Sequence, residues 1–234
     1  MKIIDEGIFL FSKNYGEKSK ILYVLSKENG LIKGLSKSRK NSKNNLIVFD
    51  KITFSWSSKD PNGLGFLNFE QQKANPLDDY IFSIIKASVS ELCLRFLPPW
   101  EKNTKIFKDV TNLSLLDLKS NSYLIGKYIN WEISFLKNLG YGLDINVCSV
   151  SGKKNDTYFI SPKTGNAVCY IIGKKYSKKL FKIPECMKDE FRKDHYNDYK
   201  DALKITEHFF LKILEKKSYS FIFRNQIINQ VHYL

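Results

Sequence analysis

The chain has 234 residues, 43% of them hydrophobic, with 38 Lys and Arg against 24 Asp and Glu for a formal charge of +14. That length can bury a full core in one large or two small domains, and only twelve Gly and six Pro exclude collagen and general disorder. The apolar runs are a few residues long, far short of the ~20 needed to span a bilayer, and the start Met1-Lys2-Ile3-Ile4-Asp5-Glu6 puts acids where a signal peptide keeps its apolar stretch, so a soluble cytoplasmic chain is expected.

The first seventy residues read as five short strands. Ile3–Phe11 is apolar-rich, Ile21–Leu25 alternates, and Leu31–Leu35 follows the turn dipeptide Asn29-Gly30. A polar basic stretch from Ser36 to Asn45 precedes Leu46–Trp56, and Asp60-Pro61-Asn62-Gly63 turns the chain into Leu64–Phe69. Five strands in so short a span suit a closed barrel, because a flat sheet would leave two open edges. An OB-type barrel leads and an SH3-like barrel is second.

The pattern changes after residue 75. Asn75-Pro76-Leu77-Asp78-Asp79 is a helix-start signal, and apolar residues from Ile81 to Phe96 recur at helical spacing until Pro98-Pro99. A second helix is predicted between Asn103 and Leu118, and a third from a Ser120 or Ser122 cap to Leu139 with Gly140 as its terminator. Thr157–Ile160 and Ala167–Ile172 read as a two-stranded hairpin around Ser161–Asn166. Helices then resume over Tyr199–Lys216 and Ser218–Val231. The fold class is therefore α+β: residues 1–75 as an OB-type barrel, and residues 76–234 as a mainly helical domain with a β-hairpin insert at about 145–172.

Motifs for bond-breaking chemistry are missing. Gly173-Lys174 completes no P-loop because Val168 stands where the first Gly belongs, and Gly63-x-Gly65 lacks its third Gly. His195, His208 and His232 are too scattered for a triad or a zinc protease, and Asp78-Asp79 and Asp189-Glu190 read as helix-start charges. Cys93, Cys148, Cys169 and Cys186 contain no CxxC pair, and Cys93 falls on an apolar helix face as core filler. No catalytic residue is assigned, and the chain is not expected to be an enzyme.

Charge points instead to a polyanion. Only four of the basic residues are Arg, so part of the lysine content is ordinary solvated surface, but the excess of cations holds in both halves of the chain. Lys33, Lys37, Arg39, Lys40 and Lys43 place five cations in eleven residues among Gly, Ser and Asn, a composition suited to a phosphate chain of variable path. Phe54, Trp56, Phe66 and Phe69 on the same barrel are candidates for stacking on bases, with Trp56 preferred, although strand alternation sends half of them inward. A second cluster, Lys174, Lys175, Lys178, Lys179 and Lys182, reads equally as a nucleic-acid contact and as a solvated face. An RNA-binding OB module and a protein adaptor for acidic tails remain alternatives.

Several stretches, in order along the chain, resemble the bacterial RecO family of DNA repair and recombination proteins. These are Asp5–Leu10 with Tyr15-Gly16-Glu17-Lys18-Ser19, Glu28–Leu31 with Lys33–Lys43, Trp131-Glu132 through Leu139-Gly140-Tyr141-Gly142-Leu143-Asp144, and Phe159-Ile160-Ser161-Pro162 with Gly165 and Ala167. The resemblance implies an OB-fold followed by a helical domain with a zinc-ribbon-like insert. It also implies binding of single- and double-stranded DNA, annealing of complementary strands, contact with the acidic C-terminal tail of single-strand-binding protein, and loading of RecA onto coated DNA together with RecR. On this basis Lys127 and Arg224 become candidates for the tail, and a nucleoid-associated cytoplasmic location follows. One departure stands out. Zinc-bearing members carry two CxxC pairs, whereas here Cys148 is followed by Ser151 and Cys169 by Ile172, so a metal-free insert is expected.

Overall fold

The computed structural model describes residues 1–37, 46–60, 63–73, 79–116, 120–154, 156–188 and 196–231. They form two compact units, Met1–Leu116 and Asp117–Leu234.

Five strands open the first unit: β1 (Lys2–Asn14), β2 (Ser19–Ser26), β3 (Gly30–Lys37), β4 (Lys51–Ser57) and β5 (Gly65–Lys73). They close into a barrel in the order β1-β2-β3-β5-β4. All contacts are antiparallel except β3 with β5, where Gly34 faces Gly65 and Leu35 faces Phe66. Strict alternation makes β4 a strand: Ile52, Phe54 and Trp56 are buried, while the residues between them are partly exposed. The core is built from these three with Phe9, Leu22, Val24, Ile32 and Leu67. Strand β1 serves two neighbours, pairing with β4 through its first half and with β2 through its second. A register shift between Phe9 and Phe11 bends it from one to the other and leaves both Phe9 and Leu10 buried.

Asn29-Gly30 makes the predicted tight turn. Gly30 has φ +70°, and a Cβ there would lie 2.1 Å from the carbonyl oxygen of Glu101. Asp5 fastens the same turn, accepting hydrogen bonds from the Ser26 hydroxyl, the Glu28 amide (2.9 Å) and the Asn29 side chain (3.0 Å). Partial burial works to raise its carboxyl pKa, but these donors and the Glu6 amide outweigh it and hold the group below the usual carboxylate range.

Two helices complete this unit. Helix α1 (Tyr80–Phe96) starts on Asp79, whose carboxylate accepts from the Ile81 amide at 2.8 Å, and stops before Pro98-Pro99. Helix α2 (Thr104–Ser114) starts on Asn103, which caps the Ile106 amide at 2.9 Å. The segment between them lies on the barrel: the Trp100 amide donates to the Leu31 carbonyl (3.1 Å) and the Trp100 ring meets Trp56 edge-on at 4.6 Å. The compact unit thus takes in α1 and α2 as far as Leu116.

In the second unit, helix α3 (Asn121–Asn138) takes Ser120 as its N-cap. It ends in a Schellman motif: Gly140, at φ +86°, donates to the Lys137 carbonyl and Tyr141 donates to Leu136. A small sheet follows, of β6 (Asp144–Cys148), β7 (Phe159–Ile160), β8 (Asn166–Val168) and β9 (Phe181–Lys182), in the order β6-β8-β7-β9. The predicted hairpin is its centre, but β6 and β9 were not foreseen. The expected strand Ala167–Ile172 stops at Val168, because the Cys169 amide leaves the ladder to donate to the Cys148 sulfur (3.3 Å). The chain then coils into the short helix α4 (Tyr170–Gly173) and a 3-10 segment, Lys174–Lys179. Helices α5 (Tyr196–Ile213) and α6 (Ile222–Gln230) complete the chain.

Candidate nucleic-acid interface

The outer face of β1, β2 and β3 carries aromatic and cationic side chains in cross-strand rows. In the first row Phe11 faces Tyr23, with ring centroids 6.0 Å apart, and Tyr23 faces Lys33. In the next, Lys13 faces Ile21, Ile21 faces Leu35, and Leu35 meets Phe66 across the parallel contact. Ser19 and Lys37 form the third. Phe11 and Phe66 are 47% and 54% exposed, more than barrel packing requires, and Tyr15 stands exposed in the β1–β2 turn. Neighbouring strands lie about 4.8 Å apart, so the four-strand row crosses about 14 Å of surface, enough for several stacked bases.

Exposed lysines surround this face. Lys13, Lys18, Lys20, Lys33 and Lys37 make no ion pair among the described residues. On the opposite, inward parity of the same strands, Ser12, Lys20 and Ser36 join Leu46 and Phe69 around a cavity of about 320 Å³ over a floor of Phe9 and Leu22. Strand alternation turns Tyr23, Lys33 and Lys37 outward together with Ser19, Ile21 and Leu35, while Leu22, Val24 and Ile32 fill the core from the other side.

Several sequence-predicted residues take other places. Lys33 and Lys37 lie on the face, whereas Arg39, Lys40 and Lys43 lie outside the described residues. Phe66 is on the face, Phe54 is core and Phe69 is half-buried against the core. Trp56 needs correction: it is fully buried, and no base can stack on it. The alternation of β4 sends it inward with Ile52 and Phe54, and its Nε1–H donates to the Lys33 carbonyl at 3.0 Å. A Cβ on Gly65 would sit 2.3 Å from its ring, and one on Gly34 would sit 3.0 Å away, so two glycines make room for the indole. Trp56 supports the β3–β5 closure from beneath the face. The sequence reading missed Phe11, Tyr15 and Tyr23. The alternation Ile21-x-Tyr23 against Leu22-x-Val24 was the available signal for Tyr23, but the shift in β1 disguised it for Phe11.

The two tail candidates separate as well. Lys127 is half-buried on α3, its ammonium 5.6 Å from the Tyr123 ring. Arg224 is fully buried and needs correction as a tail ligand. Its Nε donates to Glu132 (2.8 Å), and its other nitrogens donate to Glu207 (3.2 Å), Thr206 (2.9 Å) and the Leu203 carbonyl. Burial alone would lower its pKa, but Glu132 and Glu207 beside it hold it raised and charged.

The insert holds two sulfurs, those of Cys148 and Cys169. The Cys148 sulfur accepts from the Ser151 and Cys169 amides at 3.4 and 3.3 Å. Although Cys148 exposes no surface and burial opposes ionisation, these bonds and the Ser151 hydroxyl draw its pKa down. Cys169 is the other sulfur, but Ile172 offers no donor, and among the described residues no group of three His, Cys, Asp or Glu is placed to hold a metal. No helix among the described residues is long and apolar enough to cross a membrane.

Two family models match the chain: recombination protein O N terminal over residues 1–73, and recombination protein O C terminal over residues 77–219. Among curated relatives, the DNA repair protein RecO of Wolbachia pipientis from Culex pipiens is 31% identical over 92% of both chains. That of Ehrlichia chaffeensis is 30% identical over 99% of this chain and 98% of its own. With a closed five-stranded barrel at its start and a helical unit bearing a small sheet after it, this chain belongs to the RecO family of DNA repair proteins.

Proposed function

We propose that the protein is a non-catalytic recombination mediator. It holds single- and double-stranded DNA, anneals complementary strands and, with RecR, helps load RecA onto DNA coated by single-strand-binding protein. The observation that carries this reading is the outer barrel face, where Phe11, Tyr23 and Phe66 alternate with Lys13, Lys33 and Lys37 across hydrogen-bonded strands. In OB-folds the faces of the second and third strands and the adjoining loops are the ones that hold oligonucleotides. Rings stack on any base and lysines track phosphates, so such a face grips a strand without reading it. Annealing requires chiefly that repulsion between two polyanions be neutralised. Arg39, Lys40 and Lys43 extend the same contact in this reading. Lys127 remains the candidate for the acidic tail of single-strand-binding protein, and the insert works without zinc. The protein acts in the cytoplasm, at the nucleoid.

The test is fluorescence-anisotropy titration of a labelled single strand across a salt series, comparing the native chain with a Lys13→Gln/Lys33→Gln/Lys37→Gln variant. Three lost phosphate contacts reduce the slope of log affinity against log salt by about 2. Equal weak binding by both chains refutes the reading and favours an adaptor for acidic tails. Strong preference for structured RNA refutes it in favour of an RNA-binding module.

A further inference from the structure

We propose that the segment Tyr170–Lys182 of the second unit is a separate contact surface for single-stranded nucleic acid. This rests on the DNA-binding reading above but uses none of the barrel residues. From Tyr158 to Pro184 the chain contains six lysines and no Asp or Glu. Lys174, Lys175, Lys178, Lys179 and Lys182 are exposed and make no ion pair among the described residues. Some other surface lysines face carboxylates, as in Lys27–Glu6, Lys102–Glu28 and Lys204–Asp201, whereas the barrel-face lysines, like these, have none among the described residues. A solvated face gains nothing from leaving five cations together without such partners, whereas a polyanion site does.

Aromatic side chains lie among these cations. Tyr158, Phe159 and Tyr170 form a cluster, with Tyr158 edge-on to Tyr170 at 5.0 Å and Phe159 stacked on Tyr170 at 6.4 Å. The ammonium groups of Lys174 and Lys182 each lie 5.6 Å from a ring of this cluster, Tyr170 and Tyr158 respectively. Tyr176 is 59% exposed and Ile171 76% exposed. The 3-10 geometry of Lys174–Lys179 aligns residues three apart, so Lys175 lies over Lys178 and Tyr176 over Lys179 along a segment about 12 Å long. That length matches three to four phosphates of a stacked strand at ~3.4 Å each. The occupant is a strand rather than an acidic protein tail because two rings, Tyr170 and Tyr176, lie open on the surface among the lysines, while Phe159 is buried beneath them.

The test uses the full chain and a single strand carrying 5-iodouracil for photo-crosslinking, with adducts mapped by mass spectrometry. A Lys174→Gln/Lys175→Gln/Lys178→Gln/Lys179→Gln variant is titrated beside the native chain and the barrel variant. Adducts at Tyr170 or Tyr176, a salt slope lower by about 2 to 3 and at least about tenfold weaker binding in the variant support the proposal. Retained native binding with no adduct in 170–182 and no change in the variant overturns it and leaves the barrel reading intact. Absence of DNA binding by the native chain overturns both. Binding of an acidic peptide that is lost in the variant, while DNA binding is unchanged, also overturns it.

Discussion

Replacing Arg224 by Met should unravel the second unit rather than merely weaken a partner contact. Arg224 exposes no surface and joins α6 to Glu132 of α3 and to Leu203, Thr206 and Glu207 of α5. Met fills much of the stem volume but leaves the Glu132 carboxylate buried, with only the Tyr128 hydroxyl (2.6 Å) and the Thr206 hydroxyl as donors. Breaking a buried pair from one side costs about 3–5 kcal/mol, a large share of the ~5–15 kcal/mol that holds a domain together. Since each 1.4 kcal/mol is tenfold, amide hydrogen exchange in α3 and α5 should accelerate by two to three orders of magnitude, with the barrel amides of the first unit as internal reference. Adding Glu132→Gln removes the stranded charge, so the double variant should recover at least about 1 kcal/mol over Arg224→Met alone. Unchanged exchange in Arg224→Met, or a double variant less stable than the single, would refute the account of Arg224 as a charge clamp.

Two further predictions concern protonation and metal. Asp5→Asn should destabilise the barrel by about 1–2 kcal/mol at neutral pH, through weaker acceptance from Ser26, Glu28 and Asn29. Because folding lowers the Asp5 pKa, the stabilisation is complete above the unfolded value near 4 and is lost as pH falls through the lower folded value. Urea unfolding of native and variant chains at several pH values should therefore show a gap that closes in acid, and a gap independent of pH would contradict this origin. For the insert, elemental analysis of the purified chain should find zinc far below one equivalent, and a chelator should leave the melting temperature unchanged. Stoichiometric zinc, or unfolding on chelation, would show that Cys148 and Cys169 recruit ligands beyond those described here.

The sequence showed elements best where one period dominated. The helical spacing from Ile81 to Phe96 carries through to the structure almost residue for residue, and the inward alternation of Ile52, Phe54 and Trp56 holds, although the strand read from Leu46 begins only at Lys51. Asn29-Gly30 and Leu139-Gly140 mark real chain reversals because both glycines take positive φ. What escaped was set by interactions distant in sequence. Strand β6 pairs with β8 across an intervening strand, and the sulfur of Cys148 ends β8 by taking an amide twenty-one residues away. Trp56 was read as a stacking ring and Arg224 as a free cation, yet each has its polar group satisfied inside the core, by the Lys33 carbonyl and by Glu132. For the face itself, Lys33 and Lys37 were legible as charge, whereas Phe11 and Tyr23 become neighbours only through the β1–β2 register.

The division between the two kinds of cation bears on how a strand would be held. Arg224 is spent inside the second unit, where its planar fork meets two carboxylates. The exposed cations on the barrel face and on Lys174–Lys182 are all lysines. An arginine fork reads guanine edges and grips phosphate in a fixed geometry, whereas a lysine is a point charge on a flexible stem. A lysine surface interleaved with tyrosine and phenylalanine therefore attracts any strand, lets it shift, and releases it as salt or a competing strand neutralises the phosphates. Strand annealing, as proposed above, requires this combination of grip and release. On the proposed reading, replacing these lysines with arginines would tighten binding at the expense of exchange, because the same contacts would hold both strands and product.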